Sequence, residues 1–363
     1  MRRILVIADD LSGTTEIAGI GHRFGLPTQI LRDRPEQIGD GLTVLDTDSR
    51  SLDSHQAPET IRRFVANLDP RQFDLIYKKT DSAFRGQIRS EVLALISAFN
   101  FSAALLLPQN PSRGRTIANG EYRIDGTPLH QTSFANDPDH PATTSDVTKL
   151  IEPANGITIC DASNLDDVWR WAKQITQDLL PAGSADFFTA LLESRGHTSA
   201  KPFTTKLPGP TRLFICGSAS AYSRELISIA PRHDCAVCLM PPDVFQGGDI
   251  SAWASDIRES LKKKSRVLVA ISQPVQRDSS TSHRLQSALA EVAARVLLNC
   301  TVDHLFLEGG ATASAVCRRM RWNQFDIHDE LTPGIVEVKT SSKLSPTLLI
   351  KPGSYPWPPA IWL

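Results

Sequence analysis

With 363 residues, 41% of them hydrophobic and 22% charged, the chain is long enough for about two compact domains with sizeable cores. A formal charge of −1 and a pI near 6.8 exclude a general electrostatic attraction to nucleic acid or anionic membrane, so basic clusters act locally and on small anions. The apolar run at residues 4–8 is too short for a signal peptide or membrane span, which points to a cytoplasmic protein.

Residues 4–8 read as a buried strand, followed by Asp9, Asp10, Leu11, Ser12 and Gly13, then by Ile17, Ile20 and Phe24 at helical spacing. The two acids therefore fall at the carboxyl end of a first parallel strand, the usual ligand edge of an open α/β sheet, with Ser12 as the expected N-cap. Adjacent carboxylates beside an anion pocket repel unless one holds a hydroxyl, a proton or a metal. Asp9 and Asp10 are read as binding substrate hydroxyls, one of them as general base, against the plainer alternative of a helix-start signal. Strands follow at 26–31 and 43–45, and the second runs into Asp46, Thr47, Asp48, Ser49 and Arg50. Arg50 is a candidate carboxylate contact.

After a helical stretch at 60–68, a strand at 74–77 leads into Lys78, Lys79, Thr80, Asp81, Ser82, Ala83, Phe84, Arg85 and Gly86. A helix carrying Ile88, Val92, Leu95, Ile96 and Phe99 comes next. Lys78, Lys79, Arg85 and Arg89 supply cations, Ser82 a hydroxyl and Asp81 a single acid, while Gly86 permits close approach to the helix N-terminus. The cluster describes a pocket for a small carboxylate or phosphate, gripped by Arg85 through two parallel hydrogen bonds. A solvated turn capped by Asp81 is the plain alternative.

A strand at 103–107 opens an unusually long, turn-rich connection that passes through Pro108, Arg113, Gly114, Arg115, Asp137, Pro138 and His140. Within it Asp125-Gly126 predicts a hairpin turn, and the hairpin is expected to form a flap over the pocket, with Arg115 as a ligand contact. A strand at 157–160 and helices at 166–179 and 185–192 complete a first domain, residues 1–200. Residues 197–211 have linker composition.

The second domain, 211–363, begins with a strand at 212–216 that ends in Gly217, Ser218, Ala219 and Ser220. Strands at 235–240, 267–271 and 304–307 follow. A long amphipathic helix precedes the last of them, which runs into Glu308, Gly309, Gly310, Ala311 and Thr312 and a further helix. Paired glycines leave room for a diphosphate, with Thr312 donating its hydroxyl; a tight turn alone is the structural alternative. A strand at 347–350 leads to Lys351, Pro352 and Gly353 and an aromatic, proline-rich tail that either covers a purine face or seals the core. Cys235-Ala-Val-Cys238 has metal-like spacing without a second ligand pair. The nine histidines show no two-ligand spacing on a helix, so no transition-metal site is expected.

Two resemblances bear on function. The apolar strand ending in Asp46-Thr-Asp48 resembles the nucleophile motif of haloacid dehalogenase-type phosphatases, a minor alternative. More broadly, Ala8-Asp-Asp-Leu-Ser-Gly13, Lys79-Thr-Asp-Ser-Ala-Phe-Arg-Gly86, the loop 108–115 with Asp137-Pro138, Gly217-Ser218, Gly309-Gly310 and Lys351-Pro-Gly353 together resemble the four-carbon acid sugar kinase family. The resemblance implies two α/β domains, each an open, mostly parallel sheet flanked by helices, with the active site in the inter-domain cleft. It implies phosphorylation of a small sugar acid such as erythronate or threonate, with ATP and Mg²⁺. Asp9 and Asp10 would be catalytic, and Arg50, Lys79, Asp81, Ser82, Arg85 and Arg115 would bind the acid. Ser218, Glu308, Gly309, Gly310, Thr312 and Gly353 would bind the nucleotide, and no residue is assigned as a metal ligand. Ala311 stands where the family commonly has Asp, which motivates the alternative of a catalytically weak sugar-acid or nucleotide sensor, unless Glu308 takes over near the metal. The expected partners are the sugar acid and ATP, with neither nucleic acid nor membrane, and a homodimer is left open.

Overall fold

A computed structural model of the chain describes every residue except 1–2, 36, 138, 152–154, 204–206, 219, 274–278, 343–344 and 363. Pro138 and Ala219, named among the motifs above, lie outside the described residues. Two units divide the chain, Met1–Lys201 and Pro202–Leu363.

The first unit runs β1 (Arg3–Ala8), α1 (Leu11–Arg23), β2 (Thr28–Leu31), β3 (Gly41–Asp46), α2 (Gln56–Val65), β4 (Leu75–Lys79), α3 (Ile88–Phe99) and β5 (Ala103–Leu107). It continues with β6 (Arg115–Ala118), β7 (Glu121–Ile124), β8 (Thr127–Pro128), α4 (Val147–Leu150), β9 (Ile157–Ile159), α5 (Leu165–Ala172), β10 (Leu179–Gly183) and α6 (Ala185–Ser194). A parallel sheet has the order β2-β3-β1-β4-β10-β5-β9. Its central strands are apolar at successive positions because helices cover them, α1 packing with α6 and α2 with α3. Helix α1 lies so close to the sheet that a Cβ on Gly21 would come within 2.3 Å of the Leu42 side chain.

Strands β1 and β4 are neighbours, yet the chain leaves β1 toward β2 on one side and β4 toward β5 on the other. This is a topological switch point, and the crevice outside the carboxyl ends of such a strand pair is where open α/β sheets take ligands.

Strand β10 replaces the expected end of a helix: α5 stops at Ala172, and Leu179–Gly183 inserts between β4 and β5. Pro181 and Gly183 disguise it, since both read as turn residues. Here Gly183 is required, because a Cβ would meet the Leu107 carbonyl oxygen at 2.1 Å. The β6-β7-β8 hairpin turns at Asp125 and Gly126, both in the left-handed region (φ 49° and 78°), as a two-residue turn demands. It is not a loose flap: Ile117, Tyr122 and Leu129 are fully buried in the same core as Leu5, Ile7 and Val92.

The second unit contains β11 (Arg212–Cys216), α7 (Ala221–Ile229), β12 (Cys235–Leu239), α8 (Pro242–Phe245), α9 (Ser251–Lys263), β13 (Arg266–Ala270) and α10 (Ser279–Leu297). Then come β14 (His304–Glu308), α11 (Gly310–Met320), β15 (Gln324–Thr332), β16 (Ile335–Thr340) and β17 (Thr347–Lys351). Strand order is β12-β13-β11-β14-β17-β16-β15, parallel through β17, with β16 antiparallel to both β17 and β15. A second switch point lies between β11 and β14, from which the chain departs in opposite directions. The β15-β16 hairpin was not expected from the sequence.

The aromatic tail seals the core of this unit rather than leaving its rings for a base. Phe214 stacks on Phe306 with centroids 4.2 Å apart, Trp357 meets Phe306 edge-on at 5.4 Å, and Trp362 lies against Phe214 and flat on His233. Among the described residues no helix is long and apolar enough to cross a membrane.

Candidate functional site

In the first unit the polar residues at the switch point form one charged network. Asp10, not the expected Ser12, caps α1: its Oδ1 accepts the Gly13 N–H at 2.9 Å, and its Oδ2 accepts the Ser12 hydroxyl at 2.6 Å. The helix begins at Leu11, which places Ser12 already inside it. Arg50, at the end of the chain's excursion after β3, donates to Asp9 through Nε (2.7 Å) and Nη2 (3.1 Å) and to Asp10 through Nη1 and Nη2 (2.7 Å each). Its guanidinium also lies 3.4 Å from Asp81. Arg50 therefore braces the protein's own acids, whereas the sequence suggested a substrate carboxylate.

Asp81 accepts the backbone N–H groups of Ala83 (3.0 Å) and Arg85 (3.2 Å) and a two-pronged contact from Arg85, at 3.0 Å from Nε and 2.8 Å from Nη2. Arg85 reaches Asp137 as well, at 3.3 Å. Arg115 donates to the Ser82 hydroxyl, and the Tyr122 hydroxyl donates to the Ser82 carbonyl. Lys79 donates to the Thr80 carbonyl at 2.9 Å and lies 3.5 Å from Glu16. Lys78 is fully buried, paired with Glu91 at 2.6 Å and acting on the network through its charge alone, and Arg89 is exposed on α3, outside it.

Charge is what keeps this buried cluster ionised. Burial alone would raise the pKa of Asp9, but Arg50 and Lys78 outweigh it and hold the carboxyl below its ordinary value. Burial likewise opposes ionisation of Asp81, and Arg85, Arg50 and Arg115 hold it well below the usual carboxylate range. Tyr122 and His140, whose ring pairs with the Arg50 carbonyl at 3.0 Å, have no site role in the sequence reading, and Asp137, which reaches Arg85, enters it only through the family resemblance. All three sit in the long connection after β5, and for Tyr122 and His140 its length is the one signal the sequence offers.

Asp46 does not behave as an accessible nucleophile. Its carboxylate is fully buried, binds Arg32 at 2.7 Å and accepts the Asp48 N–H at 3.2 Å, which removes the geometric basis for the phosphatase alternative.

In the second unit, register aligns Cys216 of β11, Glu308 of β14 and Lys351 of β17 across three adjacent strands. The loops that follow therefore leave the sheet side by side, and their small residues interlock. A Cβ on Gly217 would lie 2.0 Å from Thr312 Oγ1; one on Gly353 would lie 3.0 Å from Ser218 Oγ and 3.8 Å from Gly309 Cα. Gly309 has a φ of 91°, open to glycine, and α11 starts at Gly310 with no side chain capping it. Uncapped N–H groups at the positive end of a helix, beside glycines and the small side chains of Ser218 and Thr312, suit phosphate oxygens.

Glu308 lies beneath these loops, fully buried. Lys351 Nζ stands 3.1 Å away, Trp357 Nε1 donates at 2.8 Å, Cys216 Sγ contacts it at 3.3 Å, and the Ser223 hydroxyl donates to it. With four groups around it, Glu308 is a strut under the loops and does not replace the missing Ala311 carboxylate. Among the described residues no group of three His, Cys, Asp or Glu is placed to hold a metal ion.

A family model described as a sugar-binding N-terminal domain matches residues 4–180, and one described as a nucleotide-binding C-terminal domain matches residues 213–355. A D-threonate kinase from Salmonella typhimurium is 25% identical over 386 residues, spanning 92% of this chain and 90% of that protein. A 3-oxo-tetronate kinase from Methylobacterium radiotolerans is 22% identical over 405 residues, spanning 96% and 95%. A solved Salmonella typhimurium structure, provisionally described as a tRNA synthase, shares the fold with a TM-score of 0.76 at 19% identity, covering 97% of this chain and 96% of that one. The chain belongs to the four-carbon acid sugar kinase family, with an N-terminal sugar-binding domain and a C-terminal nucleotide-binding domain.

Proposed function

We propose that the protein transfers the γ-phosphoryl group of ATP to a hydroxyl of a four-carbon sugar acid, of the threonate, erythronate or 3-oxo-tetronate type. The observation that carries this reading is the division of chemistry between two switch points. Acids, arginines and a lysine gather at the first, and glycines, hydroxyls and an uncapped helix N-terminus at the second.

Arg85 and Arg115, with Lys79, hold the substrate carboxylate, and Ser82 takes one of its hydroxyls. Arg50 and Asp81 keep these groups in place. Asp9 accepts the proton of the attacking hydroxyl as its oxygen bonds to the γ-phosphorus and the bond to the ADP oxygen breaks. The loops at Ser218, Gly309, Gly310, Thr312 and Gly353 would hold the phosphates, offering amides and hydroxyls to the charge that develops on them. Glu308 supports these loops from below. Most of the rate then derives from positioning rather than covalent help, so the acceptor hydroxyl and γ-phosphorus have to be brought into line. No step is assigned to Mg²⁺.

The test is ADP release with a panel of three- to six-carbon sugar acids. Release with four-carbon acids well above the acid-free rate is expected. Silence across the panel from the native chain, with activity only in Ala311→Asp, would instead make it the binding protein that Ala311 suggests.

A further inference from the structure

We infer that Phe134 is a positioning residue for carboxylate recognition: its ring holds the guanidinium groups of Arg85 and Arg115 where an incoming carboxylate meets both. The inference rests on the sugar-acid reading above and adds the device that sets the acid apart from a neutral analogue.

The two arginines come from different parts of the first unit, Arg85 from the loop after β4 and Arg115 from the first position of β6. Their Cζ atoms lie over one ring, that of Phe134, at 5.4 Å and 5.5 Å from its centroid. The negative face of an aromatic ring attracts a guanidinium without consuming its N–H groups. A carboxylate in the same position would hold the arginines more strongly but would take those donors from the ligand. Asp81 and Asp137 already take one N–H from each nitrogen of Arg85, which leaves the second N–H of both terminal nitrogens for another acceptor.

The ring can serve this purpose because its backbone is fixed. The Phe134 N–H donates to Thr132 Oγ1 at 3.3 Å, and its carbonyl accepts from Ala142 (3.0 Å) and Asp137 (3.2 Å). One side of the residue packs on the core of the unit, and the residue itself is half-buried. The same turn thus carries Asp137 to Arg85 and presents the ring to both arginines. Without the ring, Arg85 would keep Asp81 and Asp137 and Arg115 would keep Ser82, but nothing would tie the two like-charged groups to one place, and the bound carboxylate would have to offset more of their repulsion.

The experiment uses the full chain and the variants Phe134→Leu and Phe134→Tyr, with Phe134→Met in reserve should the leucine variant unfold. Calorimetric binding of threonate and of its neutral amide is measured without nucleotide, and KM for acid and for ATP is measured alongside. Loss of the ring should weaken threonate by roughly 3- to 30-fold, the span of such contacts. Amide binding and the KM for ATP should move less than about twofold, and tyrosine should restore the native value. Equal weakening of acid and amide would reduce Phe134 to packing and overturn the inference, as would unchanged acid binding or a tyrosine variant that fails to recover. A native chain that binds threonate without releasing ADP would defeat the kinase reading alone and leave the clamp measurable. A native chain that binds no acid defeats both.

Discussion

Asp9 and Asp10 are neighbours in the chain, and they differ in how much of each carboxylate is already taken. Asp10 accepts from Gly13, from Ser12 and twice from Arg50, filling the roughly four acceptor positions a carboxylate has. Asp9 accepts only two bonds, both from Arg50, among the described residues. Acceptor capacity therefore remains on Asp9, which supports the proposal that it is the proton acceptor, while Asp10 sets the start of α1. Asp9→Asn is expected to lower kcat by about 10²- to 10⁴-fold with little change in the unfolding midpoint. Asp10→Asn keeps a competent cap and should cost much less activity, whereas Asp10→Ala should also lose about 1 kcal/mol of stability. Since Arg50 and Lys78 hold Asp9 below its ordinary pKa of 3.8, it stays ionised through neutral pH, and the acid limb of kcat should lie below that value. A larger loss in Asp10→Asn at unchanged stability, or an acid limb near neutrality, would reverse the assignment.

At the scale of elements, the strand ends β11, β14 and β17 are bound together by Glu308 and Lys351, both fully buried. Burial pulls Lys351 below its ordinary pKa and Glu308 opposes that, so each charge is tolerable because of the other. Glu308→Gln or Lys351→Met alone should cost about 3–5 kcal/mol in denaturant titration and raise the KM for ATP, leaving that for the acid unchanged. The double variant should cost less than the two singles together by about 1–3 kcal/mol. Strict additivity would show that the pair does not hold the loops. The loops were legible because each follows an apolar strand with glycine or a hydroxyl residue. Their support was not, since the Glu308 partners Cys216, Ser223 and Trp357 lie far away in the chain and none carries a local signal. The same limit hid β10, whose proline and glycine imitate a turn, and the contact of Arg50 with Asp9, which joins residues 41 apart. Local pattern reveals where an element ends; which charges meet there depends on strand order, and strand order is a property of the whole sheet.

At the scale of the whole molecule, length and composition already pointed to two domains, and each unit has its own core, one around Leu5, Val92 and Tyr122 and the other around Phe214, Phe306 and Trp362. Two cores with two distinct ligand edges mean that each ligand stabilises chiefly the unit that binds it. A ligand at about 100 times its dissociation constant adds about 2.7 kcal/mol to the state that holds it. Hydrogen exchange reads this addition segment by segment, because amides exchange through local openings that the ligand suppresses. Threonate should slow exchange at residues 79–86 and 115–122. A non-hydrolysable ATP analogue should slow it at residues 309–316 and 351–355, where the uncapped start of α11 and the loop after β17 lie. Protection by the analogue at residues 79–86 with none at residues 309–316 would place the phosphates among the arginines of the first unit. The division of labour between the two switch points would then be wrong, even if the protein proved to be a kinase.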